Sequence, residues 1–220
     1  MADSDQLALL AAERVFGGDT AYTPDAVVDQ HLTFLEAVAA PGWWPREILT
    51  PTAGAGAWTR GCRRRWPNAS ITAIEINPGE RGNLERVADV VVIADALAWA
   101  RAWRTDSMPF DLVVDNPPWS NFGEWAEALL PLVDPTGYLQ LYGPTQWGQA
   151  KATIPVVERC TPVAVGLTGG RVRHHPGSKT DALETCSRIW RPGRAQGAGP
   201  LRRCWETFQL DHPESTERRL

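Results

Sequence analysis

Ile48-Leu49-Thr50-Pro51-Thr52-Ala53-Gly54-Ala55-Gly56-Ala57 is the stretch that decides how this chain is read. A short apolar run ends on Thr-Pro, two glycines follow two positions apart, and a helix-forming segment begins at Ala57. The pattern describes a strand, a tight turn and a helix. Glycines let a backbone pass close to a ligand, and a helix N-terminus presents N–H groups. The turn lacks the fuller dinucleotide pattern, because Thr59 stands three positions past Gly56. A mononucleoside is therefore the better fit, and a plain dehydrogenase the poorer one.

Outward from the turn, strands and helices alternate. Strand signals fall at Glu47–Thr50, Ser70–Ile76, Val90–Ala94, Phe110–Asp115 and Gly137–Tyr142. Helix signals fall at Asp25–Ala39, Ala57–Trp66, residues 80–88, Ala96–Trp103 and Asn121–Leu132. Thr23-Pro24 has the form of an N-cap followed by a first-turn proline. This order specifies an α/β fold, a doubly wound, mostly parallel sheet with helices on both faces. Three later strand-like segments, Pro162–Leu167, Glu184–Trp190 and Cys204–Leu210, can close the sheet with an antiparallel hairpin. Residues 5–16 read as an amphipathic helix followed by a Gly17-Gly18 turn, and residues 212–220 as a flexible tail.

Two acids follow the turn at strand ends. Glu75, 19 positions past Gly56, can accept from both hydroxyls of a ribose, and Asp95 can meet an adenine amino group. Each also fits a solvated strand-end acid. The turn and both acids together point to a nucleoside site.

Phe110-Asp111-Leu112-Val113-Val114-Asp115-Asn116-Pro117-Pro118-Trp119 carries the chemistry. A hydrophobic strand runs directly into Asn-Pro-Pro-aromatic. Two prolines fix an extended backbone and remove two donors, which leaves the Pro117 carbonyl as an acceptor. The Asn116 side-chain oxygen is a second acceptor, and Trp119 a flat apolar wall. Such a clamp suits a planar group bearing NH₂. In isolation the tetrad equally describes a proline-terminated strand with a core aromatic; its register after a nucleoside site favours the clamp.

With these motifs in place the chain resembles class I S-adenosylmethionine-dependent methyltransferases. It is similar in particular to phage-type enzymes that methylate the amino group of adenine in DNA. The resemblance covers roughly residues 20–190. It implies a Rossmann-like methyltransferase fold and S-adenosylmethionine as cofactor, with S-adenosylhomocysteine as product. Asn116, Pro117, Pro118 and Trp119 correspond to the catalytic tetrad. Thr50, Pro51, Ala53, Gly54 and Gly56, then Glu75, Ile76, Asp95 and Ala96, with Asn116, correspond to cofactor-binding positions. Tyr22, Thr23 and Pro24 resemble the segment that helps hold the methionine carboxylate. It separates nucleic-acid adenine enzymes from protein-glutamine enzymes that share the tetrad. Thr50 departs from the pattern, since the family usually has Asp or Glu there; Asp115 is the nearby acid in the expected fold. Arg171, Arg173, His174, His175 and Lys179 resemble a late loop that meets nucleic-acid phosphates. They also fit a solvated hairpin of mixed charge. A methyltransferase of an RNA base or protein glutamine, and a catalytically impaired cofactor- or nucleic-acid-binding protein, are the alternatives.

Composition sets the outer bounds. The chain has 220 residues, 43% apolar and 22% charged, the profile of an ordinary globular domain. Its net charge of −4 argues against a general nucleic-acid coat. Residues 1–158 carry −9 and residues 159–220 carry +5, an asymmetry that lets a polyanion approach the last third and that random scatter also produces. No apolar run approaches a membrane span, and the acidic N-terminus shows no leader, so a cytoplasmic protein is expected. Cys62, Cys160, Cys186 and Cys204 have neither metal-knuckle nor redox-pair spacing, so no metal is expected. A single catalytic domain over 1–211, with 1–20 as an N-terminal helix and turn, leaves no space for a separate target-recognition domain. Short or relaxed specificity, a partner subunit or a homodimer follows. DNA is the expected partner. Trp occurs 11 times, more than Phe and Tyr combined. Trp99 and Trp103 are expected to pack together. Trp43, Trp44, Trp58 and Trp147 fall near predicted loops and turns where some can approach a substrate.

Overall fold

The computed structural model describes residues 23–103, 108–145, 160–171, 184–193 and 206–210. The N-terminal helix 5–16, Tyr22, Trp147, the segment holding Arg173, His174, His175 and Lys179, and the C-terminal tail lie outside these residues.

Helix α1 spans Asp25–Val38, followed by β1 (Glu47–Thr50), α2 (Ala57–Arg65), β2 (Ser70–Glu75) and α3 (Arg81–Leu84). Then come β3 (Val90–Ile93), α4 (Ala96–Ala102), β4 (Phe110–Asp115) and α5 (Phe122–Leu129). Four further strands complete the order: β5 (Val133–Pro144), β6 (Cys160–Arg171), β7 (Glu184–Pro192) and β8 (Glu206–Leu210). They form one eight-stranded sheet in the order β3-β2-β1-β4-β5-β7-β6-β8. Strands β1 to β5 run parallel. β7 is antiparallel to both β5 and β6, and β8 returns parallel to β6. The doubly wound sheet with a C-terminal antiparallel hairpin is therefore as the sequence requires.

Side chains alternate across the sheet with the two-residue period of a strand. Ile48, Ile71, Leu112, Val114, Tyr138 and Tyr142 face α1 and α2, where Leu32, Leu35, Trp58 and Cys62 meet them. Leu49, Ile74, Val113, Leu139 and Leu141 face α4 and α5, where Ala100, Trp125 and Leu129 meet them. Both faces are covered, which is why β4 reads as a nearly continuous apolar run. Trp99 and Trp103 do pack together, ring centres 4.7 Å apart, and Trp103 continues onto Phe110. Trp43 and Trp58 are packing residues: Trp43 lies edge-on to Tyr138 and Trp66, and Trp58 is 2% exposed on α2.

Helix α1 differs from its sequence reading at its start. Pro24 is the N-cap and no side chain caps the helix. The Thr23 hydroxyl turns away to Trp58 and Asn116. What holds α1 is α2. Gly61 allows the two helices to approach, since a Cβ there would stand 2.5 Å from Val28 Cγ1 and 3.1 Å from Leu32 Cδ1. Ion pairs from Arg60 and Arg64 to Asp25, Arg64 to Asp29, and Arg65 to Glu36 line the same seam. They are solvent-exposed and contribute little individually. Ala normally outranks Gly in a helix by about 1 kcal/mol. Here Val28 and Leu32 are fully buried and cannot yield. The steric cost of about 1–3 kcal/mol prevails. Gly61→Ala is expected to lower the melting temperature; a rise would show that α1 shifts without cost.

Candidate cofactor cleft and amine clamp

Because β1 to β5 are parallel, their C-terminal ends share one edge of the sheet. The chain reverses its winding between β1 and β4, and crevices at such reversals take ligands. Across this edge lie, in order, Asp95 after β3, Glu75 ending β2, the glycine turn after β1, and Asn116 after β4.

The glycine turn needs its glycines. Gly54 and Gly56 have φ of 52° and 84°, a left-handed backbone costly for residues with a Cβ. Its N–H groups are directed inward. Thr52 N donates to Asp115 Oδ2 at 2.7 Å, Ala53 N to the Ile74 carbonyl at 2.9 Å, and Gly54 N to Glu75 Oε2 at 2.7 Å. Three consecutive donors are thus taken, two of them by carboxylates. A turn flanked by carboxylates repels phosphate and receives a cation. Arg60 braces its far side, donating to the Ala55 carbonyl and to Asp25.

Glu75 is pinned by Gly54 N and by Asn77 N, one N–H on each oxygen, so each oxygen keeps acceptor capacity toward the cleft. Ile76 beside it is half-buried, and Ala96 is buried. Asp95 lies two residues beyond the end of β3 and caps α4, with Oδ1 accepting from Leu97 N and Ala98 N. Thr50 is fully buried, its hydroxyl 2.9 Å from that of Thr59, where it joins β1 to α2. An acidic side chain does stand at the turn, at Asp115. That carboxyl is 1% exposed and accepts from Thr52 N and, at 2.8 Å, from Asn116 N. Burial raises it from 3.8 to about 7 against these hydrogen bonds, and the charge on Glu75 adds to the rise.

Asn116 is held at both ends of its amide. Nδ2 donates to Thr23 Oγ1 at 3.0 Å, and Oδ1 accepts from the Trp119 indole N–H at 2.7 Å. Pro117 is buried, while Pro118 and Trp119 are half-buried. Thr23 and Pro24, read as cofactor residues, stand within reach of the tetrad. Arg171 ends β6 on this same edge of the sheet, paired with Glu184 at the start of β7.

One site residue escapes the sequence reading. Arg188 on β7 is 5% exposed, lies over the Phe122 ring, and donates to the carbonyls of Pro144 and Thr145 at the end of β5. It fixes the wall next to the tetrad. Its only signal is a lone cation in the apolar run Cys186-Ser187-Arg188-Ile189-Trp190. Among the described residues no cluster of His, Cys, Asp and Glu could hold a metal, and no helix is long and apolar enough to cross a membrane.

The architecture is that of the class I S-adenosylmethionine-dependent methyltransferases, and the chain has this fold. A class I methyltransferase from Listeria monocytogenes superposes with a TM-score of 0.62 at 12% identity, covering 94% of this chain and 74% of that one. The M protein of the type I restriction enzyme EcoKI gives 0.60 at 11% identity, covering 95% of this chain and 52% of that one. In sequence, the Type II methyltransferase M.CvrRI of Paramecium bursaria Chlorella virus XZ-6E is 34% identical over 77 residues. That stretch is 34% of this chain and 19% of the viral enzyme, so the chain spans about a fifth of its length. No protein-family model matches.

The raised Asp115 carboxyl makes stability pH-dependent in a defined sense. Between pH 3.8 and about 7 the folded chain keeps a proton that the unfolded chain has lost, so stability falls as pH rises through this window. His31, lowered by burial to about 3, acts in the opposite sense below 6.5. It is common to wild type and Asp115→Asn, so their difference isolates Asp115. Wild type should lose stability relative to D115N from pH 4 to 7 and run parallel above it, followed by thermal melts. Parallel curves throughout would contradict this.

Proposed function

We propose that this protein transfers the methyl group of S-adenosylmethionine to the exocyclic amino group of adenine in DNA. The observation that carries the reading is the Asn116 amide beside a carboxylate-flanked glycine turn, with its oxygen on a donor and an aromatic ring next to it. S-adenosylmethionine is a nucleoside with cationic groups and no phosphate, and the residues fit it: Glu75 for the ribose, Asp115 for positive charge at the turn, and Thr23-Pro24 for the methionine end. When bound, it supplies an electrophilic sulfonium methyl. A cation near Asp115 favours that residue's ionised form.

The adenine amine is a weak nucleophile because its lone pair is delocalised into the ring. Asn116 Oδ1 and the Pro117 carbonyl accept its two hydrogens and favour a pyramidal nitrogen with an available lone pair. Trp119 must hand Oδ1 to the incoming amine and offers its ring as a stacking face. The acceleration is chiefly positional. The product ammonium is acidic, so no base is needed before attack. A base in duplex DNA leaves its stack to enter the clamp. The basic residues Arg171, Arg173, His174, His175 and Lys179 are assigned to phosphate contacts, consistent with where β6 ends. The stretch shared with the viral Type II methyltransferase supports this reading.

Labelled methyl transfer from S-adenosylmethionine to separate DNA, RNA and protein pools tests the reading. DNA should be labelled as N6-methyladenine. Asn116→Ala should reduce transfer by at least about 10²-fold with cofactor binding nearly intact. Labelling confined to RNA or to glutamine in protein would overturn the substrate, and an active N116A the site.

A further inference from the structure

We infer that Thr23 is a positioning residue for Asn116: its hydroxyl accepts from the amide nitrogen and so holds in place the amide whose oxygen meets the substrate amine. This inference rests on the proposed function and adds a residue to it.

The hydrogen-bond directions are forced by chemistry. An indole N–H can only donate. Trp119 Nε1 lies 2.7 Å from Asn116, so the amide oxygen must be the atom facing it. Nδ2 then faces Thr23 Oγ1, where it is the donor. The reversed amide would set two donors against each other at Trp119, so this orientation does not rest on a choice between oxygen and nitrogen. Trp58 Nε1 also donates to Thr23 Oγ1, at 3.3 Å. The Thr23 oxygen therefore accepts twice, and its hydroxyl is a donor toward any third group.

The anchor is firm. Thr23 is 6% exposed and Trp58 2%, and α1 behind Thr23 is seated on α2 through Gly61. An amide with one Nδ2 hydrogen on Thr23 and its oxygen toward Trp119 presents that oxygen to the cleft. It receives an NH₂ group and rejects a ring carbonyl at the same place, as a clamp for adenine requires. Released from Thr23, the amide keeps its oxygen toward Trp119 but loses the anchor on its nitrogen, so that oxygen is no longer held in one place for the substrate amine.

Thr23→Val keeps the shape and removes the acceptor; Thr23→Ser keeps the acceptor. At saturating S-adenosylmethionine, T23V should lower kcat by about 10- to 100-fold, and T23S by less than about 3-fold. Asn116→Ala has no amide to hold, so adding T23V to N116A should cost less than about 3-fold in residual rate. A ligand-free readout follows the same atoms. In protein labelled with ¹⁵N-asparagine, the Asn116 side-chain signal is identified by its absence in N116D. Its Nδ2 protons should exchange with solvent at least about 10-fold faster in T23V than in wild type. Thr23→Ala gives the same two readouts should T23V fail to fold. Wild-type kcat in T23V with only cofactor affinity reduced, or unchanged Asn116 exchange, would overturn the inference. N116A separates the cases: if it is inactive and T23V is wild-type, the positioning role alone fails; if it is active, the proposed function fails.

Discussion

The site depends on one carboxyl group. Asp115 ends the central strand β4 and spans the point where the sheet reverses its winding, accepting from Thr52 on one side and Asn116 on the other. The glycine turn and the Asn116–Trp119 tetrad belong to different strand ends, and this group is the covalent neighbour of one and the hydrogen-bonded partner of the other. Burying a carboxyl is costly, and two backbone N–H groups offset part of that cost. Burial lifts the carboxyl to about 7 all the same, so the offset is incomplete.

The surrounding packing serves the same geometry. α1 delivers Thr23 to Asn116, and its register is set by the close approach to α2. Farther along α1, buried His31 binds Thr168 of β6 at 2.8 Å, Thr168 meets Thr185, and Thr185 meets the Tyr142 hydroxyl. Gln140 joins the backbone of His31 to Ser187. These polar groups couple α1 to the C-terminal strands, where an apolar interior alone would allow sliding. Arg188 then fixes the end of β5 beside Phe122.

Much of this was legible in the sequence because it is local. Short apolar runs located β1 and β4 to the residue, and the glycines and prolines marked the turns that follow them. β5 and β6 run longer than read, to Val133–Pro144 and Cys160–Arg171: β5 starts earlier where Val133 pairs with Phe110 of β4, and pairing with β7 carries both strands through Pro and Gly residues that locally signal turns. Site details that depend on partners distant in sequence were less accessible. Thr23 has the local form of an N-cap, yet its hydroxyl is claimed by residues 35 and 93 positions away. Arg188 sits in an apolar strand and gains its meaning only from β5 and Phe122. Asp115 could be suspected as the replacement for the acid missing at Thr50, but its bond to the glycine turn is a tertiary fact.

The central claim is that a glycine turn ringed by carboxylates receives a cationic, phosphate-free nucleoside. Calorimetric titration of the protein with S-adenosylmethionine and, separately, with ATP tests it most directly. The account predicts saturable binding of S-adenosylmethionine and at least about 100-fold weaker binding of ATP, since phosphate would meet Asp115 and Glu75. Equal or tighter binding of ATP would contradict it.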